Sequence, residues 1–275
     1  MTWPSVGHCL AQAQARGLPR LEARWLLAQA LAREPTWLLT HDEHPLTAVE
    51  TRRWSDWLAR RLDGVPLAYL SGRHEFHGLV LSITPDVLDP RPDTETLVDW
   101  ALEHLAAQPP GARVLDLGTG SGAIALALKH RRPDAQVSAV DLSPAALAVA
   151  RGNGERLNLP VRWLLGRWFE PVADERFDLI VSNPPYIRDD DPHLPALHHE
   201  PRLALTAGSD GLDALRDIVR HAGTHLTRGA PLLLEHGHEQ GANVAALLQA
   251  QRYQGVAQRR DLPGHVRCTG GHWPG

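Results

Sequence analysis

The residues with the clearest chemistry are Val181-Ser182-Asn183-Pro184-Pro185-Tyr186. They follow an apolar run, Phe177 to Val181, that reads as a buried parallel strand. Asn-Pro-Pro neither continues a strand nor opens a helix, because two successive prolines lack N–H donors and fix φ. A rigid corner is therefore expected at the C-terminal end of a strand, where open α/β sheets bind ligands. The corner offers an amide side chain, free backbone carbonyls and an aromatic face. Two acceptors and a ring suit a planar –NH2 group. Holding both of its hydrogens favours a localised nitrogen lone pair aimed at an electrophile. The corner reads as a place where a planar amino group is alkylated, against the plainer reading of a structural Pro-Pro turn.

A second motif precedes it. Asp116-Leu117-Gly118-Thr119-Gly120-Ser121-Gly122 lies between an expected strand, Arg113 to Leu117, and an expected helix from Ala123. Alternating glycines let a backbone pass close to a ligand before entering a helix N-terminus. The next strand, Gln136 to Val140, ends in Asp141, 19 residues after Gly122. An acid there can accept hydrogen bonds from a ribose diol. The spacing is not G-x-G-x-x-G, and it suits a ligand without a phosphate, with Asp116 near a positive or amino-bearing group. Together with the Asn-Pro-Pro-Tyr corner two strands later, the loop points to S-adenosylmethionine. Trp168, beyond the third strand, is placed either to stack on an adenine ring or to fill the core.

These motifs need a sheet to hold them. From Arg113 the pattern is βαβ, with strands also at Val161 to Leu165 and Pro231 to Leu234, the last followed by Glu235. Ser143-Pro144 is an N-cap and first helical position. Residues 187–209, with Asp189, Asp190, Asp191, His193, His198, His199 and Glu200, read as a mobile lid or substrate-side loop. The tail from Val256 supplies the last strands, and its end, Gly270 to Gly275, is expected to fray. The fold class is α/β: a Rossmann-like class I S-adenosylmethionine-dependent methyltransferase domain behind a small helical bundle. Residues 1–73 are the bundle, 74–92 a hairpin and Pro-rich connection, and 93–275 the methyltransferase domain. In the bundle, Leu21, Trp25, Ala28 and Ala32 are expected on one helix face. A second helix opens at the capping box Thr47-x-x-Glu50 and buries Trp54, Trp57, Leu58 and Leu62. Its tryptophans read as core rather than as a nucleic-acid platform.

Composition bounds the rest. Of 275 residues, 43% are hydrophobic, enough for a sizeable core, and no apolar run is long enough to span a membrane. No secretory leader is read, and the cysteines, Cys9 and Cys268, suit a reducing cytosol better than a disulfide framework. The net charge of −4 gives no general attraction to nucleic acid; residues 1–78 carry 9 Arg against 8 acids. Glu235-His236-Gly237-His238-Glu239 and the Asp189–Glu200 run lack a zinc spacing, so no metal is expected.

Over most of its length the chain resembles the bacterial release-factor glutamine N5-methyltransferases (the PrmC/HemK family). The matching residues are Gly64-x-Pro66-Leu67-x-Tyr69 with Gly72 and Phe76, then Pro90-Arg91-Pro92-Asp93-Thr94-Glu95. The match continues through Asp116 to Gly122, Asp141, Trp168-Phe169, Asn183 to Tyr186 and Leu232-Leu233-Leu234-Glu235-His236-Gly237. Adenine-N6 and some ribosomal-RNA methyltransferases share the Asn-Pro-Pro-Tyr corner; the Pro-Arg-Pro segment and the helical N-terminal domain narrow the family. The resemblance implies a cytoplasmic enzyme, expected as a monomer, that methylates the glutamine of the Gly-Gly-Gln motif in peptide-chain release factors. It implies that Gly118, Thr119, Gly120, Ser121, Gly122, Asp141, Trp168 and Asn183 contact S-adenosylmethionine. It also implies that Asn183, Pro184, Pro185 and Tyr186 hold the glutamine, with Asn183, Pro184 and Tyr186 catalytic, and that the N-terminal domain docks the release factor. Arg167 stands where the family usually has an acid, and Asp89 where it usually has an aliphatic residue. The rival readings are an amino-methyltransferase acting on nucleic acid (adenine N6 or guanine N2) or on a ribosomal-protein glutamine, and a binding module that senses the cofactor or docks a partner without turnover.

Overall fold

The computed structural model describes residues 3–275 and divides into two compact units at Gly72 and Arg73. The first unit is helical: α1 (Val6–Ala15), α2 (Arg20–Leu31), α3 (Ala48–Leu62) and α4 (Leu67–Ser71). Ser5 caps α1 through its hydroxyl, and the Thr47–Glu50 capping box on α3 is formed in full. Trp54 and Leu58 of α3 are fully buried, with Trp57 and Leu62 half-buried. On α2 the expected face is met only in part. Ala28 is fully buried and Trp25 half-buried, but Leu21 is 80% exposed and Ala32 is exposed, while Ala23, Leu26, Leu27, Ala30 and Leu31 complete the buried side. The apolar residues of this helix exceed one stripe, so several faces were compatible with its periodicity, and packing against α1 and α3 selected one.

The second unit opens with a hairpin, β1 (Arg73–Phe76) and β2 (Leu79–Ser82). Its two-residue turn, His77-Gly78, has φ of 49° and 78°, the positive values of the turn that matches strand twist. After α5 (Glu95–Ala106) come β3 (Arg113–Leu117), α6 (Ala123–Arg131), β4 (Gln136–Asp141), α7 (Pro144–Leu157), β5 (Arg162–Leu165) and β6 (Leu179–Ser182). The chain finishes with α8 (Asp213–Ala222), β7 (Pro231–Glu235), α9 (Gly241–Ala250), β8 (Gln254–Arg260) and β9 (Val266–His272).

The strands order as β5-β4-β3-β6-β7-β9-β8, with β9 antiparallel to both its neighbours and the other pairings parallel. Central strands β6 and β7 are buried throughout, as their unbroken apolar runs require. Leu115, Leu117, Val140, Ile180, Leu232 and Leu234 join one core with Leu215, Val219 and Ala222 of α8 and Val244 and Leu248 of α9. Asp116 alternates to the opposite face of β3, toward the side where α5 and α6 pack. Strand order reverses between β4 and β6 around β3, which puts a crevice at the carboxyl ends of these strands.

The C-terminal end does not fray. Gly270 and Gly271 pair with Leu233 and Leu232 inside the sheet. The Trp273 amide donates to Ala230, its carbonyl accepts from Gly229, and its ring meets Tyr253. A glycine-rich tail looks unstructured by composition, yet here it is the antiparallel neighbour of β7, which is buried throughout.

Candidate functional site

The crevice holds a cavity of about 420 Å³, within the size range of small-molecule sites. Its floor is the loop after β3. Gly118, Gly120 and Gly122 have φ of 72°, 55° and 83°, a region that side chains disfavour. Gly118 and Gly120 line the cavity. A Cβ on Gly118 would meet the Trp168 ring at 3.5 Å, so the bare backbone forms part of the wall.

Asp141 shapes this loop from the end of β4. One carboxylate oxygen accepts from Gly120 N–H at 2.8 Å and the other from Ser143 N–H at 2.9 Å. Each oxygen retains a lone pair, and the residue lines the cavity. Burial raises its pKa, while the bonds from Ser143 and Gly120 pull the other way. Trp168 lines the cavity as well, with a φ of 47°, and also packs on the core. The ring thus borders both the cavity and the core, and its indole N–H is buried without a partner.

Three residues expected at the cofactor stand back from the cavity wall. Thr119, Ser121 and Gly122 are not among the lining residues. Thr119 turns its hydroxyl into Asp116, 2.6 Å away. The Ser121 carbonyl accepts from Asn153 Nδ2. At Gly122 a Cβ would press on Trp163, Leu126 and Ala150, so this glycine serves packing. Asp116 is fully buried with its other oxygen unpartnered, and burial pushes it up to about 7.

At the end of β6 the proline corner presents Asn183 and Pro185 to the cavity. Pro184 is buried and, like Tyr186, is not part of this wall. Ser182 anchors the strand end by donating to the Leu117 carbonyl at 2.7 Å. Asn183 Nδ2 donates to Thr94 Oγ1 at 3.2 Å. Tyr186 lies on the other flank: burial raises its pKa, and Glu235, Arg267, Arg91 and Asp93 surround it. Its carbonyl accepts from Gln240 Nε2 at 3.0 Å. Glu235, at the C-terminal end of β7, is 1% exposed, and burial pushes it up to about 7.

The loop of residues 187–209, read as a mobile lid or substrate-side loop, supplies part of the cavity wall. Ile187 bridges to Thr206 in parallel fashion, and Pro201, Leu203, Ala204, Thr206, Ala207 and Gly208 line the cavity. Its Glu200 side chain is 4% exposed and accepts from Arg91 at 2.6 Å. Composition reported the polar residues and missed that Pro201, Leu203, Ala204 and Ala207 border the cavity. Arg167, also in the wall, directs its guanidinium to Asp217 at 2.8 Å. Asp89 pairs with His74 at 2.6 Å.

Several site residues carried no sequence signal. Asn153, on α7 and fully buried, accepts from Ser82 N–H and donates to the Ser82 and Ser121 carbonyls, joining the hairpin to the glycine loop. Asp86, Val87 and Leu88 line the cavity after the hairpin, and Asp213 does so from the start of α8. Leu142 was the one findable in advance, since it directly follows Asp141 at a strand end.

A seven-stranded sheet of this order, with a glycine loop, a strand-end acid and a proline corner around one crevice, defines a class I S-adenosylmethionine-dependent methyltransferase fold. Solved methyltransferases share the fold. One from Pyrococcus furiosus aligns at a TM-score of 0.55 and 21% identity, covering 80% of this chain and 99% of that one. The T. thermophilus 16S rRNA N2 G1207 methyltransferase aligns at 0.56 and 20%, covering 73% and 49%. Residues 94–200 match the Methyltransferase small domain family and residues 6–72 the PrmC N-terminal domain family. The chain belongs to the release factor glutamine methyltransferase family. Members so named are 50% identical in Bordetella pertussis (93% of this chain, 96% of that one) and 48% in Pseudomonas aeruginosa (92% of each). One from Xylella fastidiosa is 46% identical over 99% of each chain. No described helix is long and apolar enough to cross a membrane.

Proposed function

We propose that this protein transfers the methyl group of S-adenosylmethionine to the side-chain amide nitrogen of the glutamine in the Gly-Gly-Gln motif of peptide-chain release factors. The observation that carries the reading is the meeting of Asn183 and Pro185 with Gly118, Gly120 and Asp141 in one cavity. Near-full-length relatives bearing the release-factor name support the substrate. On this reading the enzyme works in the cytoplasm as a monomer, docks its substrate on the helical N-terminal unit and binds no nucleic acid.

The cavity's residues fit the cofactor. Asp141 has acceptor capacity left for a ribose diol, and Trp168 offers a ring face beside the bare backbone of Gly118. When bound, S-adenosylmethionine supplies an electrophilic methyl carbon on a sulfonium. The protein's part is to position the nitrogen. Asn183 Oδ1 and the Pro184 carbonyl accept the two amide hydrogens, and Tyr186 packs on the amide plane. Fixing a near-attack geometry contributes up to about 7–11 kcal/mol in well-oriented systems. A strong base is not needed, because the nitrogen becomes acidic only as it is alkylated.

The test is transfer from labelled cofactor to purified release factor, with mass spectrometry of the Gly-Gly-Gln peptide. A +14 Da glutamine is the expected result. Label appearing in RNA, DNA or a ribosomal protein, and not in the release factor, overturns the assignment.

A further inference from the structure

The Asn183 side chain has two ends of opposite chemistry. The end that meets the cavity decides whether the corner accepts a hydrogen or donates one. Nδ2 is engaged by Thr94 Oγ1 at 3.2 Å, which leaves Oδ1 for the cavity that Asn183 lines. A threonine hydroxyl, however, has one hydrogen and two lone pairs and could serve either end of an amide. Something must fix its direction.

Glu235 meets that need. Thr94 and Asn183 both stand against this carboxylate closely enough to favour its charged form, yet neither oxygen has a partner of ordinary hydrogen-bond geometry. An ionised carboxylate only accepts. It draws the single Thr94 hydrogen toward itself and leaves the Thr94 lone pairs facing Asn183 Nδ2. We propose that Thr94 and Glu235 form a one-way relay that holds the Asn183 amide with its oxygen toward the reacting nitrogen, so that both are positioning residues for methyl transfer. The inference rests on the functional reading of Asn183 given above.

The relay has a second state. Burial pushes Glu235 up to about 7. A protonated Glu235 can donate to Thr94, whose hydrogen is then free for Asn183, and the amide can turn over. The groups facing Glu235 are Asp93 and Thr94 ahead of α5, Asn183 and Tyr186 after β6, and Arg267 and Cys268 on β9. Burial raises Tyr186 and Cys268 away from neutrality, and burial lowers His236, next along the chain from Glu235. Arg267 remains charged throughout and is held by Asp93 at 3.0 Å and Asp261 at 3.1 Å.

The test uses the full chain in two readouts. Without cofactor, the Asn183 side-chain NH2 resonances, assigned by their loss in Asn183→Asp, should titrate with a midpoint near the Glu235 value of about 7. That titration should vanish in Glu235→Gln. In methyl transfer, Thr94→Val should lower kcat at least about tenfold while KM for the release factor stays within about threefold, and Thr94→Ser should recover most of the loss. The rise in kcat with pH near neutrality should be absent from Glu235→Gln. Folding of each variant is checked by its thermal melt, and Thr94→Ala, which also removes the hydroxyl, stands in if Thr94→Val does not fold. Wild-type kcat in Thr94→Val, or an unchanged Asn183 titration in Glu235→Gln, overturns the relay. Failure of wild-type protein to methylate a release factor, with the titration as expected, overturns the functional reading and leaves the relay standing.

Discussion

Arg91 donates to Glu200 at 2.6 Å. This one bond ties the Pro-Arg-Pro segment before α5 to the loop over the cavity, 109 residues later. Glu200 is the more buried partner, and its second oxygen has no hydrogen bond. Removing Arg91 would strand a buried charge. Arg91→Ala is expected to destabilise the protein by about 2 kcal/mol, less than a fully buried pair because the Arg91 side chain is 38% exposed. Urea denaturation measures it. An unchanged midpoint would show that the loop holds without this tie.

Asn183→Ala should cut turnover at least about tenfold, since a hydrogen bond strengthened in the transition state exceeds one step of 1.4 kcal/mol. Cofactor affinity should fall less. Steady-state kinetics with calorimetry separates the two; normal turnover would remove Asn183 from the mechanism.

Asp141→Asn should show the opposite split. The new amide places a donor against the N–H of Gly120 or Ser143, both of which Asp141 now accepts. Cofactor binding should weaken about tenfold or more, given about 1–3 kcal/mol for an unsatisfied buried group. Turnover at saturating cofactor should change little. Calorimetric Kd values decide the matter.

Glu235 makes stability depend on pH with a definite sign. Its pKa rises from 4.5 to about 7 on folding, so the folded state binds the proton more tightly. Its contribution to stability is then greatest below 4.5, falls as pH rises through this window and levels off above about 7. Glu235→Gln lacks the penalty. Relative to wild type it should gain about 3 kcal/mol of stability between pH 4.5 and pH 8. Chemical denaturation at the two pH values gives the difference, and a pH-independent difference would contradict it.

Gly211 lies close against the corner's backbone. A Cβ there would lie 2.3 Å from the Tyr186 carbonyl, and its φ is 72°. Gly211→Ala should cost more than about 1 kcal/mol from the left-handed backbone alone, and the collision should also shift Tyr186. A melt within a degree of wild type would show that the corner yields without cost.

Much of the site was legible because its residues are constrained locally. Asn183-Pro184-Pro185 ends a strand by its own covalent geometry, and Asp141 follows a strand whose apolar run is unmistakable. The buried face of α2 was only partly legible, because a helix rich in Ala and Leu has more than one candidate stripe. The place of the 187–209 loop in the cavity wall was not legible. Its Glu200 is polar by composition and buried only because Arg91 meets it across the fold.

By itself the sequence determined the strands, the turns that follow them and the chemistry available at each strand end, since proline, glycine and hydrophobic period act over a few residues. Only the tertiary structure decided which of those groups share a cavity. It turned the Thr119 hydroxyl into Asp116 and left Thr119 out of the cavity wall. It also set Thr94 and Glu235, from segments far apart in the chain, behind Asn183. The physical reason is that an amide's direction depends on its partners, and partners brought by strand order leave no mark on neighbouring residues.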